Sequence, residues 1–184
     1  MRLSSILILT MVALVGCTEK EALIPESQSQ DNADQKMTTP DAMPTAKEDA
    51  QALVDEFMPF AELMLTKHRE FFPFGGRMSV GGEITHEGAS DGTEQPPSQT
   101  LIDLLRQAHK QQAAKKEIRA ACIVYDIRTI PPGKAEKQDV IAFELDHRDD
   151  YSVVVVFPYS FAGGGELQIE APFASPGDGA IFAN

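Results

Sequence analysis

The spacing of apolar residues changes several times along this 184-residue chain and divides it into segments. Residues 3–16 are apolar almost without interruption, whereas residues 18–47 contain no aromatic residue and consist largely of Ser, Gln, Asp, Thr and Pro. From about Lys47 to Phe71 apolar residues recur every three or four positions, which predicts a helix. Because Pro59 lacks a backbone donor, we expect a kink or two abutting helices there. The predicted buried stripe comprises Ala50, Leu53, Val54, Phe57, Ala61, Met64, Leu65 and His68.

A β-hairpin and a second helix are predicted next. In "RMSVGGEITHEGA", Gly81 and Gly82 can adopt the positive φ of a two-residue turn between short strands. After the loop "SDGTEQPPS", Ser98 or Thr100 can cap a helix, and Asp103 lies at the capping-box distance from Thr100. The apolar stripe of this helix comprises Leu101, Leu104, Leu105 and Ala108, and its later part, "KQQAAKK", is expected to face solvent.

After this helix, apolar residues recur at every second position, which is typical of strands. "IRAACIVYDIRTI" places Ala121, Ile123, Tyr125 and Ile127 on one face and Cys122 and Val124 on the other. "DVIAFELDH" places Ile141, Phe143 and Leu145 on one face. "YSVVVVFPYSF" is continuously apolar, as expected for a central strand that is covered on both sides, and "GGGELQIEAPF" supplies a further strand before a turn at "ASPGDG".

The predicted order is therefore α-β-β-α-β-β-β, with one further strand. This order indicates a single α+β domain over residues 48–184, in which two main helices pack on a mostly antiparallel sheet. It resembles the order of profilin-like and roadblock-type folds. That analogy covers the order of elements alone and implies no function.

The N-terminal segment has the organisation of a secretion signal. Met1 and Arg2 form a short positive region, and the 14 residues from Leu3 to Gly16 are too few to span a bilayer but match the apolar core of a signal peptide. Leu14, Val15, Gly16 and Cys17 follow in the order of a lipobox. Here the chain resembles bacterial lipoproteins, which implies that residues 1–16 are a signal peptide and that Cys17 is cleaved free and acylated.

The resemblance to lipoproteins also implies where in the cell the protein is located. Residues 17–47 would comprise the lipidated cysteine and a disordered tether, whose r.m.s. reach is roughly 30 Å for thirty flexible residues. The residue after Cys17 is Thr18 rather than the Asp that usually signals inner-membrane retention in lipoproteins of diderm bacteria. In a diderm host, the resemblance therefore implies the outer membrane, with the domain facing the periplasm.

Charge and cysteine content narrow the possible partners. The formal net charge of −12 argues against nucleic-acid binding, which needs a basic surface, and makes a basic protein a possible partner. The chain has two cysteines, and lipidation of Cys17 would leave Cys122 without a partner for an intrachain disulfide. Beyond the anchor, the membrane is expected to be contacted only through the lipid on Cys17.

The most suggestive stretch for chemistry is "ELDHRDDYSV". It contains the letters HRD of protein kinases, but the residue five positions after Asp149 is Val154 rather than Asn, and the companion kinase motifs are absent. A metal site could draw on Asp146, His147, Asp149 and Asp150, although EF-hand spacing and its glycine are missing. The alternative is a charged turn between two apolar strands.

A nucleophile is the other chemical possibility. Cys122 could pair with His147 or His86 if adjacent strands brought a thiol and an imidazole together. The sequence contains no HExxH, GxSxG, Walker or GxGxxG motif, so it predicts no cofactor and no metal.

The mature region also resembles a group of bacterial α+β proteins without an assigned activity. The stretches that carry this resemblance are "FFPFGG", "GGEIT", "PPSQTLIDLL", "EIRAACIVYDIR" and "DHRDDYSVVVVFPY", within residues 60–160. The leading hypothesis is a lipid-anchored binding or interaction module of the cell envelope. The alternatives are an envelope enzyme that uses Cys122 and His147, and a structural envelope lipoprotein.

Overall fold

Two helices and seven strands build the part of the chain that the structure, a computed structural model, describes, which is residues 43–183. The strands form one antiparallel sheet in the order β2-β1-β3-β4-β5-β6, and β7 also pairs with β5. The predicted α+β class is confirmed. The elements are α1 Ala46–His68, β1 Phe74–Ser79, β2 Ile84–Gly88, α2 Ser98–Ala114, β3 Ile118–Thr129, β4 Gln138–His147, β5 Tyr151–Phe161, β6 Leu167–Ile169 and β7 Phe173–Pro176.

The two helices cover opposite faces of the sheet. Because side chains alternate along a strand, Cys122 of β3 packs into the cluster beneath α1, while its neighbour Ile123 packs beneath α2. Two glycines of β1 show how closely the helices approach: a Cβ on Gly76 would overlap the ring of Phe57 in α1, and a Cβ on Gly75 would lie 3.2 Å from His109 Cε1 in α2.

Helix α1 begins with a capping box and continues without a break. The Thr45 hydroxyl accepts from the Glu48 amide at 3.3 Å, and the Glu48 carboxylate accepts from the Thr45 amide at 2.8 Å. The expected pair of abutting helices at Pro59 is wrong, and the alternative of a kink there stays a prediction. Pro59 and Asp55, the residue whose carbonyl loses its usual donor, are both exposed, so water can supply the missing hydrogen bond. His68 is exposed, so it does not belong to the buried stripe.

Helix α2 differs from the prediction in its N-terminal cap and in the residues that form its buried face. Neither Ser98 nor Thr100 caps it, since the residue before its first turn is Pro97 and no side-chain cap forms. Leu104 is largely exposed. The later part, "KQQAAKK", is mostly exposed, as predicted, with Gln112 and Ala113 half-buried. The buried residues of α2 are Leu101, Ile102, Leu105 and His109.

The strand that is buried on both faces is β4 and not β5, the strand predicted to be central. β4, which lies between β3 and β5, is buried along nearly its whole length, whereas β5 is only half-buried at most positions. The physical reason is that beyond β5 the sheet continues only with the short strands β6 and β7. The segment expected to form only a turn, "ASPGDG", contributes its first residues to β7.

The first hairpin is confirmed, but its connection is longer than two residues. It runs from Val80 to Glu83, and the Ser79 amide donates to the Glu83 carbonyl at 2.8 Å. Gly82 supplies the positive φ of 92°. The end of the expected tether, residues 17–47, overlaps the first residues of α1, and the signal peptide and Cys17 lie outside the described residues.

Candidate functional site

The structure does not bring Cys122 together with a histidine. The Cys122 side chain is completely buried in the cluster beneath α1, and burial, reinforced by the Glu144 carboxylate, raises its pKa well above the ordinary thiol value. His147 instead directs Nε2 to Asp49, and exposed His86 lies 2.7 Å from Glu56. Among the described residues, no hydrogen bond joins Cys122 to an imidazole. A protonated, buried thiol of this kind packs as a small apolar side chain.

The "DHRDD" stretch forms the turn between β4 and β5, as the charged-turn interpretation predicts. Adjacent residues of β4 point to opposite faces, so Asp146 and His147 cannot share a site. Within residues 43–183, no group of three or more Asp, Glu, His or Cys side chains is arranged to hold a metal ion.

A buried polar network on the α1 face was missed by the sequence analysis. Asp49, in the first turn of α1, accepts from Arg119 Nη2 at 2.6 Å and from His147 Nε2 at 3.1 Å. His147 Nδ1 accepts from the Asp149 amide at 3.1 Å, so Nε2 is the ring nitrogen that donates to Asp49. Arg119 Nη1 also donates to the Val80 carbonyl at 3.2 Å. Asp49, Arg119 and His147 are each at most 5% exposed, so the network joins α1 to β3 and β4.

A β-bulge places Arg119 in this network. Met78 pairs with Ala120 but Ser79 pairs with Ile118, so Arg119 is an extra residue in β3. Strict alternation from Ala120 would place Ile118 beneath α1 and Arg119 on the opposite face. The bulge reverses both: Arg119 reaches Asp49, and Ile118 packs with Ile181 on the other face.

A second network joins α2 to the edge hairpin. Fully buried His109 directs Nε2 to Glu87 at 2.8 Å, and Gln112 donates to the same carboxylate at 3.2 Å. Arg77 Nε lies 3.0 Å from Glu87 Oε1, the oxygen that Gln112 also contacts. The hydrogen bond from His109, the largest cause, lowers the pKa of Glu87. These side chains contact one another through hydrogen bonds and an ion pair, as expected for a network that stabilises the fold.

A third pair joins α2 to β4. Arg106 donates to both carboxylate oxygens of Glu144 at 3.0 Å. Burial nevertheless raises the pKa of Glu144, because the loss of water outweighs the stabilisation of its charge by Arg106.

The C-terminal segment is fastened to the sheet by a polar clasp. Asp146 accepts from the Ser152 hydroxyl at 2.5 Å and from the Ile181 amide at 2.9 Å. The Ser152 oxygen in turn accepts from the Gly179 amide at 2.9 Å. Because these bonds fix residues 179–181, Ile181 is buried against Ile118.

This segment forms one wall of a cleft, which we call the basic cleft. The end of α2 and the start of β3 form the other wall, and the cleft encloses about 620 Å³. Its lining combines a group of apolar residues, which we call the floor, with three cationic residues. The floor consists of Ala113, Ile118, Ile181 and Phe182, and the cations are Lys110, Lys116 and Arg148.

The cationic side chains of the basic cleft make few contacts with charged groups of the domain itself. Within residues 43–183, Lys110 and Lys116 make no ion pair, and Arg148 Nε is 3.7 Å from the exposed Asp149 carboxylate. Among the described residues, none of the three side chains hydrogen-bonds a carbonyl at the end of α2, where the Lys116 and Glu117 amides donate to the Ala113 and Gln112 carbonyls. Three cations are thus held together around an apolar floor in a chain of net charge −12.

The sequence contained only a weak signal for this cleft. Lys110 and Lys116 belong to the stretch expected to form a solvated helix end, and Arg148 to the β4–β5 turn. The C-terminal segment completes a cleft beside all three because the clasp holds it there.

No protein-family model, no curated protein and no solved structure matches this chain. Neither helix within residues 43–183 is long and apolar enough to cross a membrane.

Proposed function

We propose that this chain is a lipid-anchored binding module of the bacterial cell envelope, with the basic cleft as its ligand site. Cys17 carries the lipid, and the residues after it let the domain reach ligands near the membrane. In a diderm host the domain stands at the outer membrane and faces the periplasm. The lipobox sequence "LVGC" supports the anchor, and the geometry of the cleft supports binding.

The proposal rests on a difference in accessibility: the side chains of the networks are buried and paired, whereas the cations of the cleft can be reached by a ligand. Three groups suited to acid–base or nucleophilic chemistry, His147, His109 and Cys122, are buried, and the two histidines are paired with carboxylates. Exposed His86 is likewise paired with Glu56. The basic cleft instead offers Lys110 and Lys116, which make no ion pair among the described residues, and Arg148, whose carboxylate partner is exposed, beside apolar surface. Ligand sites commonly combine an apolar lining with a few polar groups that fix orientation, in volumes of roughly 300–1,000 Å³.

The other hypotheses have less support. An enzyme that uses Cys122 and His147 would need the two groups in contact, and His147 contacts Asp49 instead. A basic protein partner, suggested by the net charge, stays a prediction, since the basic cleft favours an acidic ligand. A structural envelope protein would not need a cleft with unpaired cations.

The anchor is tested by Cys17→Ser in a bacterial host that is fed labelled palmitate. We expect the wild-type chain to incorporate label and to partition into detergent. The variant should remain as an unprocessed precursor without label. Normal processing of the variant would refute the lipobox assignment.

Binding is tested by extracting small molecules from the native lipoprotein after purification from envelopes. Mass spectrometry should find a molecule retained by the wild-type chain and lost from Ala114→Trp, whose exposed residue lines the cleft. Gln111→Trp is the matched control, because Gln111 is exposed on the same helix but lies outside the cleft. Retention of the molecule by Ala114→Trp, or recovery of none from the wild type, contradicts the proposal.

A further inference from the structure

We propose that the occupant of the basic cleft is a single-chain amphiphile with an acidic headgroup, a carboxylate or a phosphate. This inference rests on the proposed function. It adds the chemistry of the ligand, which follows from the charge, the floor and the size of the cleft.

The charge of the cleft specifies an acidic headgroup. Lys110, Lys116 and Arg148 line one cleft, and the ion pair that the described residues form with them is that of Arg148 with exposed Asp149, at 3.7 Å. A neutral ligand would leave three like charges beside one another. An anion relieves their repulsion, and the Arg148 guanidinium can contact a carboxylate or phosphate through two donors.

The floor specifies an apolar chain behind the headgroup. Ile118 and Ile181 are buried, and Ala113 and Phe182 pack on them while remaining partly exposed. A simple anion would leave this surface in water. A hydrocarbon chain that covers it gains about fourfold in affinity for each CH₂ group removed from water.

The size of the cleft favours one chain. Its volume of about 620 Å³ lies within the range of sites for small ligands, roughly 300–1,000 Å³. The headgroup must also occupy part of this space. A single short to medium chain is therefore the occupant that suits both the floor and the volume.

The backbone conformation at Lys116 allows its charge to be removed without a loss of stability. Lys116 follows the α2 C-cap with φ 59°, a left-handed conformation that glycine adopts without strain and lysine does not. A lysine here is unfavourable for the helix end, and its side chain lines the cleft. Lys116→Gly therefore removes a cation without lowering the stability of the fold.

The experiment uses the full lipoprotein in phosphatidylcholine nanodiscs, titrated by calorimetry with empty nanodiscs subtracted. Octanoate and octyl phosphate test the two headgroups. Octanol tests the chain alone, and acetate and inorganic phosphate test the headgroups alone. We expect octanoate or octyl phosphate to bind at least about tenfold more tightly than octanol, acetate or inorganic phosphate. The tighter of the two octyl anions identifies the headgroup.

The variants test whether the named cations hold the headgroup. Lys110→Ala, Lys116→Gly and Arg148→Ala should each weaken binding by about three- to tenfold, and added salt should weaken it further. Lys115→Ala is the matched control, because Lys115 is exposed beside Lys116 but does not line the cleft. Its affinity should be unchanged.

Two results would overturn the inference: octanol binding as tightly as octanoate and octyl phosphate, or Lys115→Ala losing as much affinity as Lys116→Gly. If no octyl ligand binds but envelope extraction still yields a molecule that Ala114→Trp loses, the ligand class is wrong and the proposed function stands. If extraction also yields nothing, both proposals are wrong.

Discussion

Asp49 Oδ2 lies 3.1 Å from His147 Nε2, although the two residues are 98 positions apart in the chain. The other oxygen of Asp49 accepts from Arg119 at 2.6 Å. One carboxylate therefore joins the first turn of α1 to the end of β4 and to the bulge of β3. Because the groups are buried, each depends on the others for its hydrogen bonds.

Removing the carboxylate should destabilise the fold strongly. Asp49→Ala leaves the Arg119 guanidinium buried without its countercharge, which costs about 3–5 kcal/mol. Urea unfolding monitored by circular dichroism measures the loss. Asp55→Ala is the control, since Asp55 is exposed on the same helix and bonds only Gln51. Equal effects of the two variants would show that the Asp49 network contributes little to stability.

The Glu87–His109 pair should make stability depend on pH in the acid range. The folded-state pKa of Glu87 is lowered, so its ionised form stabilises the fold at neutral pH, and this contribution is lost as pH falls through the folded-state pKa, below 4.5. The stability difference between wild type and Glu87→Gln should shrink as pH is lowered from 6 toward 3.

Other carboxyl groups oppose this trend, so the comparison must be made between variants. Burial raises the pKa values of Glu144 and Asp126, so these groups favour the fold at low pH and lose that contribution as pH rises through their folded-state pKa values. Chemical unfolding of wild type, Glu87→Gln and the exposed control Glu94→Gln at each pH isolates the Glu87 effect. A wild-type to Glu87→Gln difference that stays constant, or grows on acidification, contradicts the assignment.

The clasp should control the C-terminal wall of the basic cleft. Ser152→Ala removes the donor to Asp146 and the acceptor for the Gly179 amide, a loss of about 1–3 kcal/mol for this segment. Hydrogen exchange should show faster exchange of the Gly179 and Ile181 amides while the amides of β4 stay protected. Ser160→Ala is the control, because Ser160 is exposed on the same strand. Unchanged exchange at Ile181 would show that other contacts hold the segment.

Two glycines of the first hairpin should respond oppositely to alanine. Gly76→Ala forces a methyl group into the ring of Phe57, a backbone-constrained overlap that costs about 1–3 kcal/mol. A methyl group on Gly88 would meet no atom within 4 Å, and its φ is not positive, so Gly88→Ala should be neutral or stabilise by up to about 1 kcal/mol. Thermal unfolding of both variants checks the difference in sign. Equal melting temperatures would indicate that α1 can move away from β1.

Much of the fold followed from local pattern. The alternation in "IRAACIVYDIRTI" correctly separated Cys122 and Val124 from Ile123, because a strand with both faces covered presents alternate residues to different clusters. Pro59 did not divide α1 into two helices, because it and Asp55, whose carbonyl loses its donor, lie on the exposed face of the helix. The central strand was also misassigned, because burial depends on the strands and helices that lie beside it.

The sequence by itself determined the class of fold and the order of elements through β6, because these depend on residues that are close together in the chain. The lipid address at Cys17 stays a prediction from the same kind of local pattern. Only the tertiary structure decided the long-range groupings. A single-residue bulge turned Arg119 toward Asp49, and the clasp at Asp146 brought the C-terminal segment beside Lys110, Lys116 and Arg148. Such contacts depend on register and on the return path of the chain, which no local spacing records.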